Sequence, residues 1–410
     1  MKNFNKTLKK YAELAVKVGI NIQEGQKLVI NAPIESAEFV RLIAEVAYKA
    51  GAKEVIPKWR DEKFELVRYM NAPDEAFKEF PKWIADGYEE LAKEGAAFMS
   101  IAASDPELLK DVDSTRIATD NKTKSLALKN YRKYIMNSDV SWCVISIPTV
   151  GWAKKVFSDV SEDKAVEMLW ESIFKIVRVD RDDPINAWNG HLKNLKEKVD
   201  FLNEKRFRKL YYKSEGTDLE IELPEGHIWE GGGENNSKGI YFVANMPTEE
   251  IFTMPLKTGV NGTVKSTKPL NYSGNLIEDF TLTFKDGRIV EFDAKKGYET
   301  LKKLIEIDEG SHYLGEVALV PYDSPISNSN IIFYNTLFDE NASCHLAIGM
   351  AYPSCIKGGE NMNEEELEKA GVNTSLTHND FMIGSHELDI IGETFDGDKI
   401  QIFKDGNWAF

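Results

Sequence analysis

Glu340 and His345 in the stretch FDENASCHLAIGMAYP (338–353), and His378 and Asp380 in THNDFMIG (377–384), are the side chains of this sequence best suited to chemistry. Only six histidines occur in 410 residues, so two of them beside carboxylates in small or apolar surroundings stand out from ordinary solvent-facing side chains. Imidazole and carboxylate together bind the ions of hydrolytic centres, so a metal-centred hydrolase is the first expectation. Thr377-His378-Asn379-Asp380 sets an imidazole and a carboxylate two residues apart, and in extended backbone both project from one face. The pair could bind one ion or two neighbouring ones; equally, a carboxylate so placed often just orients an imidazole. In DENASCHLA the small residues would let backbone approach an ion, or the segment is a helix start capped by Asp339 or Asn341. Glu316 opens the apolar run of YLGEVALVPYDSP and Glu250 lies in NMPTEEIFTMP, both positions where a glutamate commonly faces water. Tyr352, before Pro353, reads either as turn packing or as a donor to the same centre.

Other features carry less. Gly231-Gly232-Gly233 in IWEGGGENNSKG lacks the following Lys-Ser or Lys-Thr and helix of a phosphate-cradling loop, so a flexible turn is expected there. His227, His312 and His386 have no comparable carboxylate spacing and read as structural or supporting residues. Cys344 and Cys355 flank the candidate site without a histidine and acid arrangement for a thiol nucleophile, and small buried packing residues are expected.

The elements that must position these residues differ between the two halves. Leu8, Tyr11, Ala12, Ala15 and Val18 recur at helical spacing, LVINAP (28–33) reads as a buried strand, and EFVRLIAEVAYKAGA returns to helical period before a stop at Gly51. Strand-like runs follow at EVIPKW, AAFMSIAA (96–103) and VSWCVISIP (140–148), with helical stretches such as DKAVEMLWESIFKIVRV between or after them. That rhythm predicts an α/β domain with a mainly parallel sheet over 1–185. The segment DRDDPINAW marks the boundary, and a long polar helix, NGHLKNLKEKVDFLNEKR, follows. Beyond it short alternating strands dominate: KLYYKS, TDLEIEL, GIYFVAN, LTFKDGRIVEFDA and IQIFKDG. Asp286-Gly287 signals a hairpin, and ETLKKLIEI (299–307) and NEEELEKAGV (363–372) read as helices. Residues 186–410 are thus expected to form an α+β, β-rich domain that carries the metal site.

Composition narrows the partners. At 410 residues and 42% hydrophobic content the chain exceeds one core and fits two domains. Its 67 acidic residues against 51 basic give a formal charge of -16, which disfavours nucleic acid and anionic membranes. The amino terminus has no signal-peptide pattern, no window spans a bilayer, and three cysteines cannot all pair within one chain, so a cytoplasmic setting is expected.

The segments PTEEIFTMP, GSHYLGEVALVP, FDENASCHLAIGMAYP and HNDFMIG, in this order and spacing, closely resemble the thermophilic aminopeptidases, the M29 metallopeptidase family. The resemblance runs through most of the chain. It implies that Glu250, Glu316, Glu340, His345, His378 and Asp380 hold two divalent cations, with Glu316 shared, and that Tyr352 lies beside them. It places the first ligand at Glu250 and not at its neighbour Glu249, and it implies a homodimer acting on peptides with a free amino terminus.

Donor chemistry agrees. Four carboxylates and two imidazoles suit zinc, cobalt or manganese, with magnesium also open, and leave two dications close to neutral. Two-metal centres activate a water lying between ions about 3.5–4 Å apart, and Tyr352 is placed to stabilise the oxyanion. Glu316 is the candidate for carrying the proton to the leaving amine, although a bridging carboxylate is a poor free base. Two other classes remain: a glycosidase using paired carboxylates, which would not need His378, and a binding protein whose acidic cluster holds a structural cation.

Overall fold

In the computed structural model of the chain, residues 3–272 and 275–410 are described. Two compact units emerge. The first runs to His191 and takes back Gly233–Pro247, and the second comprises Leu192–Gly232 and Thr248–Phe410. The division therefore falls inside the helix Pro184–Lys205, a few residues beyond the expected 185/186 boundary.

The first unit is the expected parallel α/β arrangement. Strands β1 (Lys27–Pro33), β2 (Glu54–Arg60), β3 (Ala97–Ala102) and β4 (Trp142–Ser146) form a parallel sheet in the order β2-β1-β3-β4. Right-handed crossovers need helices between such strands, and Ala37–Lys49 supplies the first, burying Phe39, Val40, Ile43, Val46 and Ala47. Gly51, at φ 98, then takes the left-handed conformation that ends it.

The second unit is β-rich and mainly antiparallel, with a nine-stranded and a five-stranded sheet among the described residues. Asp286 (φ 49) and Gly287 (φ 81) form the two-residue turn joining Lys285 to Arg288 in the larger sheet, which matches the primed turns that fit strand twist. The triglycine segment, expected as a flexible turn, instead begins as an edge strand of the smaller sheet. GIYFVAN, expected as a strand, is extended in the sheet sense only at Tyr241–Phe242, paired with Glu234–Asn235. No helix among the described residues is long and apolar enough to cross a membrane.

The five-stranded sheet contains β5 (Glu230–Gly231), β6 (Ile251–Thr253), β7 (Leu314–Leu319), β8 (His345–Gly349) and β9 (His378–Met382), in the order β9-β8-β7-β6-β5. One face carries Ile251, Leu314, Val317, Leu319, Leu346, Ile348 and Phe381 into the main hydrophobic core of the unit. Each large apolar side chain buried in this way contributes about 1.5–3 kcal/mol relative to exposure, which fixes the register and hence which residues face the other way.

Candidate metal centre

The opposite face of that sheet collects the chemistry. Cross-strand partners share a face, so Asp380 on β9, Ala347 on β8 and Glu316 on β7 form one row. Met382, His345, Ala318 and Phe252 form the next, and His378 stands opposite Gly349. Ala318, Ala347 and Gly349 are small, so the ligand side chains around them have space in which to converge.

Glu316 reaches this face through a backbone irregularity. Leu314 pairs with Ile348, but Glu316 pairs with the adjacent Ala347, so Gly315 is an extra residue in β7. In regular strand Glu316 would share the core-facing side with Leu314; the bulge re-aims it. A Cβ at position 315 would lie 2.3 Å from the Met350 carbonyl oxygen and 2.4 Å from that of Gly349, so the bulge needs glycine.

The side chains meet as two sets of three, Glu250 with Glu316 and His345, and Glu316 with His378 and Asp380, within 4.8 Å inside each set. His345 Nε2 lies 3.3 Å from Glu250 Oε2 and 3.5 Å from Glu316 Oε1. His378 Nε2 lies 3.4 Å from Glu316 Oε2 and 3.3 Å from Asp380 Oδ1. Each oxygen of Glu316 thus faces a different imidazole.

The outer nitrogens fix how the rings are used. His345 Nδ1 donates to the Ser343 carbonyl at 3.1 Å and His378 Nδ1 to the Met350 carbonyl at 2.7 Å, which leaves each Nε2 as the lone-pair nitrogen of a neutral ring. A lone pair facing carboxylate oxygens is repulsive unless a cation or a proton lies between them. Two donors each about 2.1 Å from a shared ion at a tetrahedral angle sit about 3.4 Å apart, and the four observed separations bracket that value. Asp380 Oδ1 is buried and accepts no hydrogen bond from any described residue. The residues fit divalent cations.

Electrostatics point the same way. Burial raises the Glu250 carboxyl against the pull of His345. Burial also opposes ionisation of Glu316, yet His345 and His378 outweigh it and hold the pKa at about 2. Burial lowers the imidazoles, but Asp380 and Glu316 bring His378 up to about 11, and Glu250 and Glu316 raise His345 well above its ordinary value. Without ions, protons on the rings replace the missing positive charge.

Glu340 sits on the turn Glu340–Ala342, beside both sets and within neither. Burial and the charges of Glu250 and Asp380 raise its pKa well above the usual carboxylate range, so it belongs to the same electrostatic cluster. Tyr352 packs its ring 4.9 Å from the His378 ring, centroid to centroid, and 6.0 Å from Phe252. Burial, then the nearby carboxylates, push its phenol up, so it stays a proton-bearing donor.

Sequence reasoning passed over two positioning residues. Asn341, weighed as a helix cap, is fully buried; its amide donates to the Leu337 carbonyl at 2.9 Å and its oxygen accepts from the Glu249 amide at 2.7 Å. It thereby ties the segment entering Glu250 to the turn bearing Glu340. Asp339 is no cap for the segment ahead of it either: it accepts the amides of Phe333 and Asn335. Gly315 is the second, and only a strand whose apolar alternation slips by one residue would have signalled it. His227 Nδ1 donates to the Pro224 carbonyl at 2.8 Å, and His386 is largely exposed beside Glu387. All three cysteines are buried and free.

A carboxylate and imidazole centre of this kind, on one face of a sheet, is that of a metallohydrolase. A profile of the thermophilic metalloproteases (M29) matches residues 4–408. The chain is 57% identical to aminopeptidase AmpS of Bacillus subtilis and 41% identical to aminopeptidase T of Thermus aquaticus, each alignment covering 100% of both chains. A solved structure, wild-type AmpT from Thermus thermophilus, superposes with a TM-score of 0.94 at 40% identity, covering 99% of this chain and 100% of that one. The chain belongs to the M29 family of thermophilic metalloproteases.

Proposed function

We propose that this metal-dependent aminopeptidase works through two divalent cations, one held by Glu250, Glu316 and His345 and the other by Glu316, His378 and Asp380, with Glu340 completing the set. The observation that carries this reading is Glu316, whose two oxygens face His345 and His378 separately at 3.5 and 3.4 Å. Zinc, cobalt and manganese suit the two imidazoles better than magnesium does. Bound there, such ions acidify water and draw charge from a peptide carbonyl.

The chain's own residues then divide the work. The backbone carbonyls of Ser343 and Met350 hold the rings with Nε2 turned inward. Glu316, with a pKa of about 2, is a weak base, so its contribution is to hold and space the centre. The phenol of Tyr352 remains protonated, and its hydroxyl makes no hydrogen bond to any described residue, so it is free to donate to the oxyanion formed at the scissile carbonyl. Substrates are peptides with a free amino terminus. The reading extends to a homodimer, which rests on the family resemblance, and to the cytoplasm, which suits three unpaired cysteines.

The test is cleavage of amino-acid p-nitroanilides by chelated and remetallated protein, with an amino-terminally blocked peptide as control. Activity should vanish on chelation and return with metal, and the blocked peptide should survive. Equal cleavage of the blocked peptide would overturn exopeptidase action.

A further inference from the structure

Glu230, on the edge strand β5, is a carboxylate outside both ligand sets that nonetheless shares their face of the sheet. Met382 pairs with His345, His345 with Ala318, Ala318 with Phe252 and Phe252 with Glu230, so one row crosses all five strands. Cross-strand partners point the same way, which turns Glu230 toward the side on which the ligands converge.

Its side chain grips the turn that presents Tyr352. Ser354 Oγ donates to Glu230 Oε2 at 2.8 Å, and the Cys355 thiol lies 3.9 Å from the same oxygen. The Cys355 amide in turn donates to the Tyr352 carbonyl at 3.0 Å, closing the turn Pro353–Cys355 directly behind the tyrosine. The Cys355 carbonyl accepts the Ile228 amide at 2.7 Å, so backbone and side chain of the segment leading into β5 both hold the turn. On its other side the Tyr352 ring rests against Phe252, the strand partner of Glu230, and against His378. The bond from Ser354 to a carboxylate is of the stronger, charge-assisted kind.

A hydroxyl stabilises an oxyanion only where it is aimed, and a misplacement of about 1 Å can cost on the order of 100-fold in rate. We propose that Glu230 is a positioning residue for the aminopeptidase reaction, holding the Tyr352 turn through Ser354 and Cys355 so that the phenol stays aimed at the scissile carbonyl. The inference rests on the oxyanion role given to Tyr352 and adds the residue that keeps it in place. Glu230 belongs to neither ligand set, and its effect reaches the reaction through the tyrosine.

The experiment measures kcat and KM of the metal-loaded enzyme on an amino-acid p-nitroanilide for Glu230→Ala, Glu230→Gln and Ser354→Ala. Each is made in the parent and in Tyr352→Phe, with metal content read by elemental analysis. In the parent, Glu230→Ala should lower kcat about tenfold and Ser354→Ala about threefold or more, with KM and metal content unchanged. Glu230→Gln keeps an oxygen for the Ser354 hydroxyl and should recover most of the loss. In Tyr352→Phe the same changes should move kcat by less than about twofold, because the group they position is gone. An equal loss in both backgrounds, a loss of metal, a Glu230→Gln enzyme no better than Glu230→Ala, or a parental kcat in Glu230→Ala would overturn the assignment. Should Glu230→Ala not fold, Ser354→Ala, which deletes one hydroxyl, carries the same comparison. A Tyr352→Phe enzyme with parental kcat would instead remove the oxyanion role of the tyrosine, and the catalytic part of the clamp with it.

Discussion

Glu316→Gln removes the one carboxylate that faces both imidazoles, so it should cost the protein both ions, whereas Asp380→Asn should cost one. The stability consequence follows from linkage. With free metal at about 100 times its dissociation constant, each ion adds about 2.7 kcal/mol to folding. Losing two therefore removes about 5 kcal/mol and losing one about 3 kcal/mol. The second unit spans roughly 200 residues, a size at which 1 kcal/mol shifts the melting temperature by about 2–4 °C. Glu316→Gln should thus melt about 10–20 °C below the parent in saturating metal, and Asp380→Asn about half as far below. Elemental analysis of dialysed protein and calorimetry with and without chelator read the two effects, and chelator should bring the parent down toward Glu316→Gln. If Glu316→Gln and Asp380→Asn retain equal metal and melt together, no carboxylate is shared and the two-ion arrangement is wrong.

Tyr352→Phe should lower kcat about 100-fold, the usual cost of losing one oxyanion donor, with metal content unaltered in elemental analysis; loss of metal in parallel would make the tyrosine structural. Gly349 has φ 110, and a Cβ there would lie 2.1 Å from the Thr377 carbonyl oxygen, so Gly349→Ala should cost about 3 kcal/mol in urea unfolding and displace His378, its strand partner. In the first unit Asp120 is buried against Arg68, Lys124 and Tyr69 at 3.0, 2.8 and 2.7 Å. Burial raises its pKa, but the contacts to Lys124, Tyr69 and Arg68 win and lower it below the ordinary value. Its stabilisation is therefore present above the unfolded pKa of about 3.9 and fades as pH falls through the folded value. Asp120→Asn should cost about 2–4 kcal/mol at pH 7, and denaturant titrations should find the gap to the parent closing below about pH 4.

Much of this was legible before any coordinates. LVINAP, AAFMSIAA and VSWCVISIP are short apolar runs between helical periods, and they became β1, β3 and β4 of a parallel sheet. Asp286-Gly287 specified its hairpin because both residues tolerate positive φ. At the site, the two-residue spacing of His378 and Asp380 put both on one strand face, and the family resemblance separated Glu250 from Glu249, whose backbone amide is held by Asn341. Less legible were features set by tertiary pairing. Gly231-Gly232-Gly233 has turn composition, yet Gly231 lies so close to the Glu250 carbonyl that a Cβ there would be 2.6 Å away, and it pairs with Ile251 as an edge strand. The return of Gly233–Pro247 to the first unit has no composition signal at all. Glu340 sits beside the close sets because a turn, with no strand register to fix it, presents its side chain.

The extra residue at Gly315 makes the centre a matter of parity. Deleting it would leave Leu314, Glu316 and Val317 alternating regularly against Ile348, Ala347 and Leu346, so Glu316 would keep its face and lose only the local bend of the bulge; deleting Val317 or Ala318, where no extra residue absorbs the loss, would instead exchange odd and even positions beyond the gap. Length beyond the bulge is therefore under stricter constraint than identity at Ala318 or Ala347, where a different small residue merely reshapes the space above the sheet. In relatives, a gap at Gly315 would therefore leave the glutamate facing the centre, whereas a gap at Val317 or Ala318 would turn the residues that follow to the wrong face.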